Sequence, residues 1–258
     1  MRLAVVVVDG AQAEESVRTW VSPDVPLVVV GTSDPVALAR WADGIDATHV
    51  AVLTRPDTRA RARLLTTVAA GRHPRIAFCV LTRDLSVLGL AACGMTALEA
   101  RSGADDAIAH LQSMLATTSS GAWLQRVHKL RRPQPRFGQH LRSLLPGGRG
   151  YIAVMGADGF VTRTDKAAAA VPAHHGHLVS EAAEGSDAHR ALSAVFATEA
   201  NPLPPIGSTE RRYGAKGAEF ARLGQHDALP THTCPVCSLS VAGTVCPFCR
   251  ARITQETA

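Results

Sequence analysis

The strongest chemical feature of this sequence is a set of four cysteines close to its carboxyl end. They form two identical Cys-Pro-X-Cys pairs, Cys234 with Cys237 and Cys246 with Cys249, separated by eight residues. Each pair lets two thiolates bind one ion from a tight turn, and the intervening residues suffice for a short hairpin that completes a tetrahedron. Because all four ligands are thiolates, no coordination position remains open for water, and the spacing predicts a structural metal site rather than a catalytic one.

The stretch THTCPVCSLSVAGTVCPFCRARI, residues 231–253, resembles the zinc-ribbon class. This resemblance implies Zn²⁺ as the ion, with a rubredoxin-like iron site as the alternative. It also implies a segment that folds on binding metal and presents a surface to protein or nucleic acid. Arg250 and Arg252 give that surface a basic edge.

A weaker metal signal lies in AHHGHLVSE, which contains His174, His175, His177 and then Glu181. Imidazoles followed by a carboxylate can ligate a catalytic ion. Histidines in a glycine-containing loop are, however, usually solvated, and no HExxH motif accompanies them. We therefore expect no catalytic residues here, and the sequence leaves enzyme activity open.

The composition indicates a globular chain with a mildly basic surface. The chain has 258 residues, 46% of them hydrophobic, and 27 Lys and Arg against 22 Asp and Glu give a net charge of +5. No apolar run approaches a membrane span, so we expect a cytoplasmic protein without a transmembrane segment. Thiols stay reduced there, which favours metal ligation for the paired cysteines and simple packing for Cys79 and Cys93.

The first 118 residues alternate apolar β-branched runs with stretches of helical periodicity, which predicts a three-layer α/β domain around a parallel sheet. The predicted strands are Leu3–Val8, Pro26–Val30, His49–Leu53, Ile76–Leu81 and Ala97–Ala100. The predicted helices are Ala13–Trp20, Asp34–Trp41, Thr58–Ala70, Leu85–Ala92 and Asp105–Leu115.

Within this domain, RIAFCVLTRDLSVLGLAACGMTALEARSGADDAIAHLQSML (75–115) resembles the second half of a response-regulator receiver domain, a flavodoxin-like fold. Thr82 takes the position of the strand-ending hydroxyl, Cys93-Gly94 that of the turn, and Arg101 approximately that of the basic residue. Thr54 stands where the third strand of a receiver ends in the phosphoacceptor aspartate. The resemblance therefore implies a receiver-like scaffold that lacks phosphotransfer chemistry.

The carboxyl edge of the predicted sheet offers a second kind of site. Doubly wound sheets bind ligands at this edge. Asp9, Thr32, Thr54 and Thr82 fall there, so a small ligand or an enzymatic site at this edge is the alternative to an interaction protein.

A basic segment follows the first domain, because no acidic residue occurs between Ala107 and Ala157. We predict two short amphipathic helices in residues 123–148, a β-hairpin in residues 150–164 and a helix over residues 179–198. The six cations expected to contact nucleic acid or another polyanion are Arg126, Lys129, Arg131, Arg132, Arg136 and Arg142.

These observations predict four segments: a receiver-like α/β domain (1–118), a basic helical linker with a small α+β unit (119–200), an extended linker (201–230) and a zinc ribbon (231–258). The resulting hypothesis is a non-enzymatic adapter or regulator that binds a protein partner and, through the basic segment and the ribbon, nucleic acid. The alternatives are a small-ligand-binding protein or enzyme that uses the sheet edge, and a structural subunit of a larger assembly.

Overall fold

The computed structural model describes residues 2–10, 17–19, 27–31, 33–100, 106–145, 150–170, 176–224 and 230–253. It divides the chain into two compact units. Unit 1 contains Met1–Arg83, Cys93–Thr117 and Gln225–Ala258, and unit 2 contains Asp84–Ala92 and Thr118–Gly224. The segment boundaries expected from the sequence at 118, 200 and 230 stay a prediction.

Unit 1 is built on a five-stranded sheet in the order β2-β3-β1-β4-β5. Its strands are β1 (Leu3–Asp9), β2 (Val17–Thr19), β3 (Leu27–Gly31), β4 (His49–Thr54) and β5 (Ala77–Thr82). Strands β3, β1, β4 and β5 run parallel to one another, whereas β2 lies at the edge of the sheet and pairs antiparallel with β3. The sequences of β1 and β3 are almost continuously apolar, as expected for parallel strands that are buried on both faces.

Four helices accompany this sheet: α1 (Ala37–Ala42), α2 (Arg59–Arg72), α3 (Val87–Glu99) and α4 (Ala107–Thr117). Alternate valines of the strands, among them Val6 and Val52, pack in one core with Leu38 of α1 and Leu65 of α2. The division between the two units falls inside α3, between Ala92 and Cys93.

Two predicted elements of this region are wrong. The predicted strand Ala97–Ala100 lies largely inside α3, which continues to Glu99 because no Gly or Pro after Gly94 interrupts its apolar periodicity. The predicted helix Ala13–Trp20 is replaced over Val17–Thr19 by β2. This strand pairs with β3 and so provides hydrogen-bond partners for backbone groups on the outer side of β3.

Unit 2 is built on a six-stranded mixed sheet in the order β10-β9-β11-β6-β7-β8. Its strands are β6 (Ser119–Leu124), β7 (Tyr151–Val154), β8 (Phe160–Arg163), β9 (Leu178–Ser180), β10 (Asn201–Pro202) and β11 (Gly217–Arg222). Its further helices are α5 (Phe137–Leu144), α6 (Thr164–Ala170), α7 (Asp187–Phe196) and α8 (Thr209–Tyr213). The predicted hairpin is confirmed by the antiparallel pair β7 and β8.

The chain is thus a mixed α/β protein with one mainly parallel sheet and one mixed sheet. A last pair of two-residue strands, β12 (His232–Thr233) and β13 (Ser240–Val241), belongs to unit 1. Among the described residues, no helix is long and apolar enough to cross a membrane.

Candidate functional site

The carboxyl edge of the parallel strands gathers four strand-ending residues in unit 1. In sheet order these are Gly31 of β3, Asp9 of β1, Thr54 of β4 and Thr82 of β5. Asp9 and Thr54 are buried, with 3% and 0% of their surface exposed. The structure therefore brings together three of the four edge residues expected from the sequence, and the fourth, Thr32, lies outside the described residues.

The most specific feature of this edge is a pair of hydroxyls. Thr54 Oγ1 lies 2.8 Å from Oγ1 of Thr58, the residue before α2. A Cβ added at Gly10 would lie 2.8 Å from Thr58 Cγ2, so glycine at this position allows the loop after β1 to approach the threonine closely. Sequence reasoning missed Thr58, although a second threonine four residues after the strand-ending Thr54 was visible in TRPDT.

The four paired cysteines also meet in unit 1. Their Sγ atoms all lie within 4.8 Å of one another, with 3.4 Å between Cys234 and Cys249 and 3.6 Å between Cys237 and Cys246. Four thiolates around one tetrahedral Zn²⁺ are separated by about 3.8 Å, given Zn–S bonds of about 2.3 Å. This cysteine cluster can therefore hold a metal ion.

The two Cys-Pro-X-Cys turns of the cysteine cluster have the same backbone conformation. In the first turn, Cys234 N donates to Leu239 O and Ser238 N donates to Cys234 O, both at 2.9 Å. In the second turn, Cys246 N donates to Ala251 O at 2.9 Å and Arg250 N donates to Cys246 O at 3.1 Å. The residue after each pair is left-handed, with φ of 58° at Ser238 and 63° at Arg250. The repeated sequence thus produces a repeated turn that directs both thiols of each pair to one point.

The cysteine cluster packs against the α/β core of unit 1. Ala242 N donates to Gln112 Oε1 on α4 at 2.8 Å, and the ring of Phe248 meets the ring of His49 edge-on with 4.9 Å between centroids. Burial lowers the pKa of His49, which favours its neutral form at this contact. The folding of residues 230–253 is therefore physically linked to α4 and to the start of β4.

Cys79 and Cys93 are buried thiols, as expected from their apolar surroundings. Burial raises the pKa of Cys79, so it stays a thiol at neutral pH. Within the cysteine cluster, by contrast, the backbone N–H of Cys237 lowers the pKa of Cys234 to about 6.

The basic segment has only one of its two predicted helices. Residues 125–136 form turns, in which Val127 and Leu130 are buried with Leu124 of β6. Trp123, an aromatic residue beside these cations that the sequence left open as a base-stacking or a core residue, packs against the core around α7. The six predicted contact cations are all exposed, and only Arg142 lies within a helix, α5. Arg149 lies outside the described residues.

The histidine loop provides no described metal site. His174 and His175 lie outside the described residues, His177 is exposed, and the only cluster of possible metal ligands in the described ranges is formed by the four cysteines. Glu181 instead binds within unit 2, where its Oε1 accepts from Thr209 Oγ1 at 2.6 Å and from Glu219 N at 3.0 Å.

A buried polar network around Glu219 was not found by sequence reasoning. Glu219 is fully buried in β11, where its Oε1 forms an ion pair with Arg212 Nη1 at 2.9 Å and accepts a hydrogen bond from the Tyr213 hydroxyl at 2.5 Å. Its Oε2 accepts from Leu88 N at 2.7 Å. The carboxylate thus fixes α8 and the start of α3 to the mixed sheet.

Burial, together with the nearby charge of Glu219, raises the pKa of Glu181. A raised folded-state pKa contributes stability that is present below the ordinary pKa of glutamate and is lost as the pH rises through the folded-state value. We therefore expect Glu181→Gln to gain stability relative to the wild-type chain between about pH 4 and about pH 7. Urea unfolding at both pH values measures this difference. Glu184→Gln, at an exposed position of the same segment, is the control, and an equal response of both variants would contradict the assignment.

Comparison with solved structures places this architecture among known folds. A DegV family protein from Corynebacterium glutamicum matches with a TM-score of 0.60 and 13% identity, over 87% of this chain and 97% of the other. The fatty acid kinase B3 protein of Streptococcus pneumoniae, solved loaded with linoleic acid, matches with a TM-score of 0.57 and 10% identity, over 87% and 100%. A DegV family protein from Thermus thermophilus, described by its fatty acid binding, matches with a TM-score of 0.56 and 13% identity, over 87% and 100%.

At these identities the likeness shows the fold, which is of the DegV type. No protein-family model and no curated protein sequence matches the chain.

The comparison overturns the resemblance to a receiver domain followed by a zinc ribbon. These matches cover 86–87% of this chain and so include residues of both units. A receiver domain would match only the first part of the chain. The second half of the supposed receiver lacks its fifth strand, since Ala97 to Glu99 are helical, and Arg101 lies outside the described residues. The resemblance failed because four parallel strands with intervening helices are common to many α/β folds.

The expected adapter role, with its protein and nucleic-acid partners, is also wrong. Several solved structures with this fold are instead described as loaded with a fatty acid or as fatty acid binding. In the structure, Trp123 contributes to a core rather than to a stacking surface.

Proposed function

We propose that this chain binds a small-molecule ligand and that the ligand is a fatty acid. The observation that carries the proposal is the shared fold: 86–87% of the chain matches structures described as loaded with linoleic acid, as loaded with heptadecanoic acid or as fatty acid binding. Ligand binding requires no catalytic group, so the proposal involves no bond-breaking step.

The carboxyl edge of the unit 1 sheet is the place we assign to the ligand's carboxylate. A carboxylate in a protein interior requires hydrogen-bond donors, and hydroxyls supply them without adding charge. Thr54 and Thr58 form such a pair. Both hydroxyls make long hydrogen bonds to Arg55 O, at 3.3 and 3.4 Å, and can rotate from there to donate toward a ligand carboxylate. The backbone carbonyl of Thr54 already accepts from Arg83 N at 3.0 Å, so its strand position is fixed independently of the hydroxyl.

The test is titration of the full-length chain, stripped of lipid, with linoleic acid. We expect the wild-type chain to bind, and the double variant Thr54→Val with Thr58→Val to bind at least about tenfold more weakly, because each hydrogen bond to a charged group contributes about 1.5–3 kcal/mol. Valine keeps the shape of threonine, so packing changes little.

Thr67→Val is the matched control, since Thr67 is exposed on α2 and its hydroxyl donates only to Arg63 O of the same helix. Absence of binding by the wild-type chain would contradict the proposed function. Undiminished binding by the double variant would instead remove the hydroxyl pair from the site.

The metal of the cysteine cluster is Zn²⁺ in this proposal. Four thiolates suit Zn²⁺, and the compact arrangement around one point supports a closed structural site. The segment is too short to form a core of its own, so the ion supplies the stability that fixes the two turns and, through them, the contacts to α4 and β4.

A further inference from the structure

A large cavity in unit 2 lies between α5, α6 and the β7–β8 hairpin, and none of its lining residues is assigned to the fatty acid or the metal. Its volume is about 830 Å³, within the range of small-molecule sites. Four cations line it: Arg136, Arg142, Arg163 and Lys166. No acidic residue is among the described residues that line it.

One wall of this cationic cavity is held in place by Gln139. Its side-chain Nε2 donates to Val161 O at 2.7 Å on β8, and its Oε1 accepts from Arg136 N at 2.7 Å. The residue therefore fastens the start of α5 to the hairpin. These two hydrogen bonds hold the backbone of α5 and of β8 on either side of the cavity.

The charge in the cavity is largely uncompensated. Arg163 pairs with Asp165, whereas Arg136, Arg142 and Lys166 form no ion pair within the described ranges. Three cations around a concave surface repel one another and create a positive potential that an anion relieves. Guanidinium groups bind phosphate oxygens in pairs, and a phosphate monoester carries about −1.5 to −2 charges near neutral pH.

The size of the cavity and its mixed polar and apolar lining indicate that the anion is attached to an organic group. Inorganic phosphate would occupy only a small part of the volume, and the apolar residues Phe160, Val161 and Ala170 line the cavity together with the cations. A ligand with one phosphate monoester and an apolar body satisfies both features.

We propose that the cationic cavity binds the phosphate monoester group of an organic ligand. The site goes beyond the fatty-acid site and does not depend on it, since all its residues belong to unit 2.

Two sources can present this chemistry, a soluble phosphate monoester or a lipid headgroup. Exposed apolar residues on α5 are relevant to which of these two sources is bound. Phe137, Leu141 and Leu144 are 78%, 53% and 55% exposed and recur at helical spacing, and Leu145 directly after the helix is 64% exposed. Cations beside an exposed apolar stripe match a membrane surface that contains phosphatidic acid.

The experiment uses the full-length chain with two probes. The soluble probe is phenyl phosphate, with phenol as the uncharged control, in a calorimetric titration. The lipid probe is a phosphatidylcholine vesicle with or without phosphatidic acid, in a flotation assay. Arg142→Gln with Lys166→Gln removes two exposed cations from the cavity. Arg59→Gln with Arg63→Gln removes two exposed cations from α2 and is matched in net charge.

We expect at least one phosphate probe to bind the wild-type chain and the α2 variant equally, and the cavity variant at least about tenfold more weakly. Phenyl phosphate binding identifies a soluble ligand, and binding only to vesicles with phosphatidic acid identifies a lipid headgroup. Binding of neither probe, or equal weakening in both double variants, overturns the proposal.

Discussion

Replacement of Cys246 by serine is expected to lower the melting temperature of unit 1 by at least about 10 °C, because a chain of roughly this size shifts by about 2–4 °C per kcal/mol. Cys246 is fully buried, its Sγ lies 3.6 Å from Cys237 Sγ, and its backbone closes the second turn of the cysteine cluster. Structural Zn²⁺ binds zinc-finger peptides with a free energy of about 10–16 kcal/mol, which contributes directly to folding, so we expect the loss of one ligand to destabilise the chain more than most core substitutions do.

The effect is expected to reach beyond the cysteines. Without the metal, the contacts of Ala242 with Gln112 and of Phe248 with His49 lose their support. Hydrogen exchange should therefore become faster in α4 as well as in residues 230–253, and a zinc chelator should reproduce the change in the wild-type chain.

Val236→Ala is the control for this prediction. Val236 lies between two ligands but is 69% exposed, so its truncation should change neither metal content nor melting temperature. Wild-type protein that contains no stoichiometric zinc, or a Cys246 variant as stable as the control, would contradict the structural role of the cluster.

Replacement of Glu219 by glutamine is expected to destabilise unit 2 by about 3–5 kcal/mol, since one member of a buried ion pair would then lack its counter-charge. The Arg212 side chain is 3% exposed and that of Glu219 is 0% exposed, so water cannot screen the remaining cation. The amide that replaces Oε1 or Oε2 also places a donor against the Tyr213 hydroxyl or against Leu88 N.

Denaturant unfolding of the Glu219→Gln and Glu210→Gln variants measures this effect. Glu210 is exposed on α8, two residues before Arg212 and therefore close in sequence to the same network. A Glu219 variant that unfolds at the same denaturant concentration as the Glu210 variant would show that the buried network does not stabilise unit 2.

The strands and the cysteine cluster were accessible from the sequence because they depend on local patterns. Continuous β-branched runs such as Leu3–Val8 are typical of parallel strands buried on both faces, and the structure has β1 at Leu3–Asp9. The two Cys-Pro-X-Cys pairs encode identical turns, so their convergence required only a short hairpin.

The errors arose where tertiary context decides. Val17–Thr19 lies in a stretch whose sequence periodicity is helical but pairs with β3, because an unpaired sheet edge favours a strand. Ala97 has β-compatible surroundings but continues α3. The receiver resemblance used the order of elements in one half of the chain, and the second sheet, formed by strands between Ser119 and Arg222, is long-range in sequence.

The binding sites were the least predictable part. Thr58 belongs to the proposed ligand site only because its hydroxyl lies 2.8 Å from that of Thr54. Glu219 belongs to a buried network only because its partners lie on α3 and α8. Arg142 and Lys166 are 24 residues apart in sequence and line one cavity only because α5 and α6 flank the same hairpin. None of these relations has a spacing pattern that the sequence alone displays.

The most direct test of fatty-acid binding is native mass spectrometry of the full-length chain purified without detergent, followed by mass spectrometry of the extracted ligand. We predict a complex heavier than the chain by one fatty acid, in addition to its metal, and a free fatty acid in the organic extract. A chain that carries no fatty acid, and that takes up none when linoleic acid is added, would contradict the proposed function.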